Sequence, residues 1–176
     1  MWEGRRVVTI FGSSRPDPGT RAYVRAERLG LVIAQQGWVI CNGGYGGTMA
    51  AAAKGARHAG GETIGITCAL YGGPPNPYIT HSEEAIDLFA RLGRLLHLGD
   101  GYVILPGGFG TLLELALVLE YLHKRLMPPV PVLLLGSTWR AALAAAAREH
   151  GGPTTGVQEV RTSEGAVQAL ARAWWA

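Results

Sequence analysis

Apolar positions along this chain fall into two alternating patterns. Short unbroken runs, Val7–Phe11 (VVTIF), Trp38–Cys41 (WVIC), Thr63–Thr67, Tyr102–Leu105 and Val130–Leu135 (VPVLLL), have the length and β-branched content of buried strands. Between them, Thr20–Gln36, Thr48–His58, Ile86–Leu98 and Thr111–His123 space their apolar residues at helical intervals. Thr138–Arg148 and Ser163–Trp174 do the same after the last strong run, with a short extended piece near Val157–Val160. Strands alternating with helices of this length predict βαβ units and a mostly parallel sheet. Runs that are apolar throughout, with no polar alternation, predict a sheet covered by helices on both faces. The expected fold is therefore a Rossmann-like open α/β domain spanning residues 1–176, with no internal repeat or linker.

Composition adds few constraints. At 176 residues and 48% hydrophobic the chain is long enough and apolar enough for one ordinary core. The net charge of +3 comes from arginines scattered from Arg5 to Arg172, with no basic block or interleaved aromatics to mark a nucleic-acid face. Cys41 and Cys68 have no metal-ligand spacing, and His58, His81, His97, His123 and His150 are isolated from one another, so no metal site is expected. There is no signal-like leader and no apolar run of membrane-spanning length, which predicts a cytoplasmic protein without a membrane partner.

The chemistry is concentrated where three strand runs end: FGSS at 11–14, NGGYGG at 42–47 and PGGFGT at 106–111. In an open parallel sheet these turns lie at the carboxyl edge, where ligands bind. Glycines admit a ligand close to backbone N–H groups, and the helix that follows adds its positive dipole end, a combination suited to phosphate. In any single loop, tight strand–helix packing would explain the glycines equally well. A Walker A loop is excluded because no glycine–lysine pair exists, and GxGxxG fails at Leu113 and again at Met49. A mononucleotide or sugar phosphate remains, with no cofactor implied. A proline-rich stretch at 72–78 (GGPPNPY) is expected to be irregular and close to this edge.

Glu114 follows Thr111 by three residues. That spacing fits a capping box, with Thr111 at or near the N-cap and Glu114 folded back on it. It equally fits a carboxylate beside a bound ribose phosphate, able to stabilise an oxocarbenium-like centre or orient a water. Asp87 is placed to cap the preceding helix, Tyr45 and Phe109 sit at loop tips where they can stack on a base or cover a partner subunit, and Cys41 and Cys68 read as buried small hydrophobes.

PGGFGTLLE (106–114), with VVTIFGSS, NGGYGGTM, GGETIGI and DGYVILPGG, resembles the LOG ("lonely guy") family of cytokinin-activating phosphoribohydrolases over nearly the whole chain. Older labels call that family lysine decarboxylase-like, but two lysines and no evident pyridoxal phosphate site argue against that chemistry here. The resemblance implies hydrolysis of the N-glycosidic bond of a nucleoside 5′-monophosphate, with Arg91 and Glu114 as the catalytic pair. It implies a phosphate loop of Pro106, Gly107, Gly108, Gly110 and Thr111, and a second loop of Gly43, Gly44, Gly46 and Gly47, with Met49 near the base. Gly12, Ser13 and Ser14 would line the nucleotide site, and the active form would be a dimer with the site at or near the subunit interface. The sequence departs from the family pattern at Leu92, where a lysine is usual, at Leu113, where many members carry a second glutamate, and in the second loop, with Thr48 in place of leucine. Non-catalytic nucleotide or molybdenum-cofactor carriers share the fold and provide the alternative reading.

Overall fold

The computed structural model describes residues 1–149 and 156–175; His150 lies outside them. Along the chain the elements are β1 (Val7–Phe11), α1 (Arg21–Ala34), β2 (Val39–Asn42), α2 (Thr48–His58), β3 (Thr63–Cys68), β4 (His81–Ala85), α3 (Leu88–Leu98), β5 (Gly101–Ile104), α4 (Phe109–His123), β6 (Val132–Leu135), α5 (Arg140–Glu149), β7 (Val157–Val160) and α6 (Ser163–Trp175). The strands form one seven-stranded sheet in the order β4-β3-β2-β1-β5-β6-β7. Every pairing is parallel, from Ile64 against His81 at one edge to Leu135 against Val160 at the other.

Alternate residues of the central strands β1, β2, β5 and β6 feed two cores. Val8, Ile10, Ile40, Val103 and Leu133 pack under α1, α2 and α6, while Val7, Phe11, Val39, Ile66, Tyr102 and Ile104 pack with Leu95, Leu115, Val118 and Trp139 on the opposite face. This two-sided burial is the physical reason the strands read as unbroken apolar runs. Trp174 closes one end of the first core edge-on against Trp38, at 4.7 Å between ring centroids.

The strand at 81–85 is absent from the hydrophobic pattern. Its sequence, HSEEA, is polar and mostly exposed, because β4 is an edge strand whose outer side meets water. Charged residues there block pairing with another sheet. A parallel neighbour also needs a long crossover, and residues 69–80 supply it without a helix. The helix expected from Ile86 therefore begins only at Leu88, with Asp87 as its N-cap accepting the Ala90 N–H at 2.8 Å. Among the described residues no helix is long and apolar enough to cross a membrane.

Candidate functional site

Three adjacent strands, β2, β1 and β5, carry the three glycine-rich turns at their carboxyl ends. From β1 the chain builds outward through β2, β3 and β4, then returns to β5 on the other side of β1. The crevice at that reversal is where an open α/β sheet presents a ligand site.

The turns fit together through missing side chains. A Cβ on Gly12 would lie 2.4 Å from Thr48 Oγ1, and one on Gly47 would lie 2.3 Å from the Ser13 carbonyl. Gly47 also has φ +62°, a left-handed conformation that favours glycine. The backbone N–H and the hydroxyl of Thr48 both donate to that Ser13 carbonyl, at 2.9 and 3.0 Å, locking the first turn to the second. Ser13 Oγ accepts the Arg15 N–H, and the Ser14 side chain is exposed at the rim. Asn42 fixes the second loop from below: its amide donates to the Met49 carbonyl and its oxygen accepts the Gly44 N–H.

In the third turn the structure corrects the expected cap. The N-cap of α4 is Gly108, with no side-chain capping bond, so Thr111 is the third helical residue and Glu114 the sixth. Thr111 is buried with its hydroxyl 2.1 Å from where a Gly107 Cβ would be, and no capping box forms. Pro106, Gly108 and Gly110 are exposed at this helix start, and Cβ atoms on either of these glycines would meet nothing within 4 Å.

Glu114, freed from capping, faces Arg91 from α3. Both are buried, at 9% and 6% exposure, and Arg91 Nη1 stands 3.6 Å from Glu114 Oε1, too long for a hydrogen bond. Arg91 is held from behind by donating Nε to the Ile66 carbonyl at 2.8 Å. Its Nη2 occupies the space of an absent Gly43 side chain, 1.9 Å from the ideal Cβ position, and Met49 sulfur closes the same space at 2.8 Å. The rings of Tyr45 and Tyr71 each lie 5.8 Å from the guanidinium carbon. Burial pushes the Glu114 carboxyl up to about 7, and the Arg91 charge offsets only part of that effect.

Arg91 and Met49 thus meet at Gly43, with Glu114 on the other side of Arg91, while Gly12, Ser13, Gly46 and Gly47 join the neighbouring turns. Tyr71, Asn76 and the Ile66 carbonyl have no motif to mark them, and Asn42, within NGGYGG, has no role that its motif announces. Only the glycine and proline punctuation at 72–78 signals that the loop bearing Asn76 comes near. Another cleft, of about 460 Å³, opens at the amino ends of the strands between Arg6, Asp100, Tyr121, Pro129 and Trp174. Its carboxylate, Asp100, is already committed to the Met1 amino group and the Val7 N–H, so the convergent chemistry lies at the carboxyl edge.

The fold is an open, all-parallel α/β domain whose glycine-lined crevice carries a buried Arg–Glu pair. Residues 5–128 match the model of the SLOG cluster4 family, and the chain belongs to that family. It is 32% identical over 133 residues to an uncharacterized protein of Archaeoglobus fulgidus, covering 71% of this chain and 82% of the relative. It is 31% identical over 131 residues to a cytokinin riboside 5′-monophosphate phosphoribohydrolase of Rhodococcoides fascians, covering 72% of this chain and 66% of that enzyme. Among solved structures, the molybdenum cofactor carrier protein of Chlamydomonas reinhardtii superposes with a TM-score of 0.78 at 27% identity, covering 97% of this chain and 98% of the carrier. The shared fold thus serves both nucleotide hydrolases and cofactor carriers, and the LOG resemblance is one of distant homology within it.

Proposed function

We propose that this protein is a cytoplasmic phosphoribohydrolase that cleaves the N-glycosidic bond of a nucleoside 5′-monophosphate, AMP or a cytokinin riboside monophosphate, to free base and ribose 5-phosphate. The observation that carries this reading is the buried Arg91–Glu114 pair, with Arg91 seated in the space of the missing Gly43 side chain and Glu114 on α4 close to its start. A pure phosphate cradle needs the glycines and the helix end but has no use for a carboxylate raised to about 7 one turn further on.

In this mechanism the backbone of Gly107, Gly108 and Gly110 and the first-turn N–H groups of α4 hold the 5′-phosphate. Glu114 faces the ribose at C1′. Water adds its oxygen to C1′ as the C1′–N bond breaks; the bonding pair leaves with the base nitrogen, which takes up a proton. Glu114 accepts the proton released by the water, a role suited to a group that titrates near neutrality. Arg91 fixes the carboxylate and balances its charge while positive charge develops on the sugar.

A homodimer fits this reading. Helix α4 is apolar on its outer side as well as its inner one, with Phe109 92% and Leu113 44% exposed, and Phe89 of α3 is 83% exposed at the same end. The test is base release from AMP and from a prenylated adenosine monophosphate, with Arg91→Ala and Glu114→Gln alongside. Both variants are expected to lose base release, and a Glu114→Gln protein that cleaves at the wild-type rate refutes the assignment.

A second reading, a non-catalytic nucleotide or molybdenum-cofactor carrier, is favoured by the near end-to-end match with the carrier structure. It predicts nucleotide or pterin-phosphate binding with no base release from the wild type.

A further inference from the structure

The loop after β3 begins with a tight turn, the Tyr71 N–H donating to the Cys68 carbonyl at 3.0 Å. Beyond the turn, Gly72 and Gly73 hold φ of +68° and +81° with nothing near their Cβ positions. Further on, Asn76 ties the loop to the second glycine turn through the carbonyls of Gly44 and Tyr45, at 2.9 Å each. Between these anchors Tyr71 projects over the site, 56% exposed, with its ring 6.1 Å from that of Tyr45.

The two tyrosines are anchored differently. The Tyr45 hydroxyl accepts the Cys68 N–H at 2.8 Å and donates to the Cys68 carbonyl at 3.2 Å, so its ring is a fixed wall. The centroids are too close, and the rings too tilted at 50°, to sandwich a base between them. The open surface is the outward side of Tyr71.

Strand order says what would meet that surface. A mononucleotide with its phosphate at the α4 start is anchored above β5, whereas Tyr71 follows β3, three strand spacings of about 4.8 Å away across β1 and β2. The Arg91–Glu114 pair lies between these ends, since Arg91 touches both Tyr71 and Glu114. In a nucleotide, C1′ separates the phosphate-bearing arm of the ribose from the base. A sugar whose C1′ is at Glu114 and whose phosphate is at α4 therefore directs its base towards Tyr71.

We infer that Tyr71 is a specificity-determining residue that stacks on the nucleobase and favours purines over pyrimidines. The inference rests on the mononucleotide reading of the site. A purine presents the larger π-face, and a stacked base–aromatic contact is worth about 1–3 kcal/mol, or roughly 5- to 150-fold in affinity.

The test is calorimetric titration of the full chain with AMP, CMP and ribose 5-phosphate, in a Glu114→Gln background so that nucleotide is not consumed. Tyr71→Ala is expected to weaken AMP roughly tenfold and CMP less, and to leave ribose 5-phosphate unchanged; Tyr71→Phe restores AMP binding. Equal weakening of ribose 5-phosphate would show a merely structural role, and unchanged AMP binding would show no stacking; either overturns the inference while the phosphate cradle stands. If the Tyr71 protein binds neither AMP nor ribose 5-phosphate, the mononucleotide reading falls and this inference with it.

Discussion

Replacing Glu114 with glutamine isolates the energetic consequence of burying an ionisable group in this site. The carboxyl moves from its ordinary 4.5 up to about 7 because burial disfavours the charged form. Below the lower value both the folded and unfolded chains carry the proton, and Glu114 imposes no penalty. Between the two values the unfolded chain releases its proton while the folded one keeps it, so stability falls by about 1.36 kcal/mol per pH unit. The loss is complete once pH passes about 7, and amounts to about 3 kcal/mol.

The glutamine variant has no such titration. Relative to wild type it should therefore gain about 3 kcal/mol on going from about pH 4.5 to about pH 8, or roughly 6–12 °C in Tm for a chain of this length. Urea unfolding of both proteins at both pH values measures it. The change between pH values is the informative quantity, because the pH-independent costs of the substitution cancel, as do the other titrating groups, while the Arg91 interaction is already contained in the shift. A difference that stays flat across the range would mean that Glu114 ionises in the folded protein as it does in water, and one of the opposite sign would mean that the fold favours its charged form; either removes the basis of the proposed proton-accepting role.

Three further outcomes follow from the packing. Gly43→Ala places a methyl where Arg91 Nη2 now lies, 1.9 Å away, so base release should fall at least tenfold with the circular dichroism spectrum of the wild type retained. Gly110→Ala, in a helix turn where the new methyl meets nothing, should raise the stability of the ligand-free protein by up to about 1 kcal/mol in urea unfolding yet weaken ribose 5-phosphate binding by calorimetry. Phe109→Glu puts a charge on the exposed apolar end of α4, where Phe109 is 92% exposed, and should convert the proposed dimer to monomer, read by light scattering.

Much of the architecture could be read from the sequence, because each central strand is buried on both faces and its burial is written directly as an apolar run. The helices were legible from their spacing for the same reason. β4 was not: an edge strand keeps polar residues, and HSEEA carries no period that separates it from a loop. The start of α4 is not legible because T-x-x-E is also a capping pattern, whereas in the fold Gly108 is already the N-cap. Arg91 and Glu114 were singled out by resemblance to a family motif, and the fold brings them together from successive helices. The aromatic contacts of Arg91 had no sequence signal, since they depend on a coil crossover bringing Tyr71 back over a residue twenty positions later in the chain.

The glycines of the site separate into two groups by what their missing side chains would touch. At Gly12, Gly43 and Gly107 the vacated space is filled from within by Thr48, Arg91 and Thr111, so each glycine and its partner are matched parts of the packing. At Gly108 and Gly110 no neighbour fills the space, and neither residue has a left-handed φ. Neither internal packing nor backbone conformation calls for glycine there, and in a first helical turn alanine would be the more stabilising choice at Gly110. What remains is an approach from outside. A bare backbone at the uncapped start of α4 gives an oxyanion access to N–H groups that a methyl would shield. The first group of glycines holds Arg91 and the two threonines in position, and the second leaves the helix end open, as the proposed phosphate site requires.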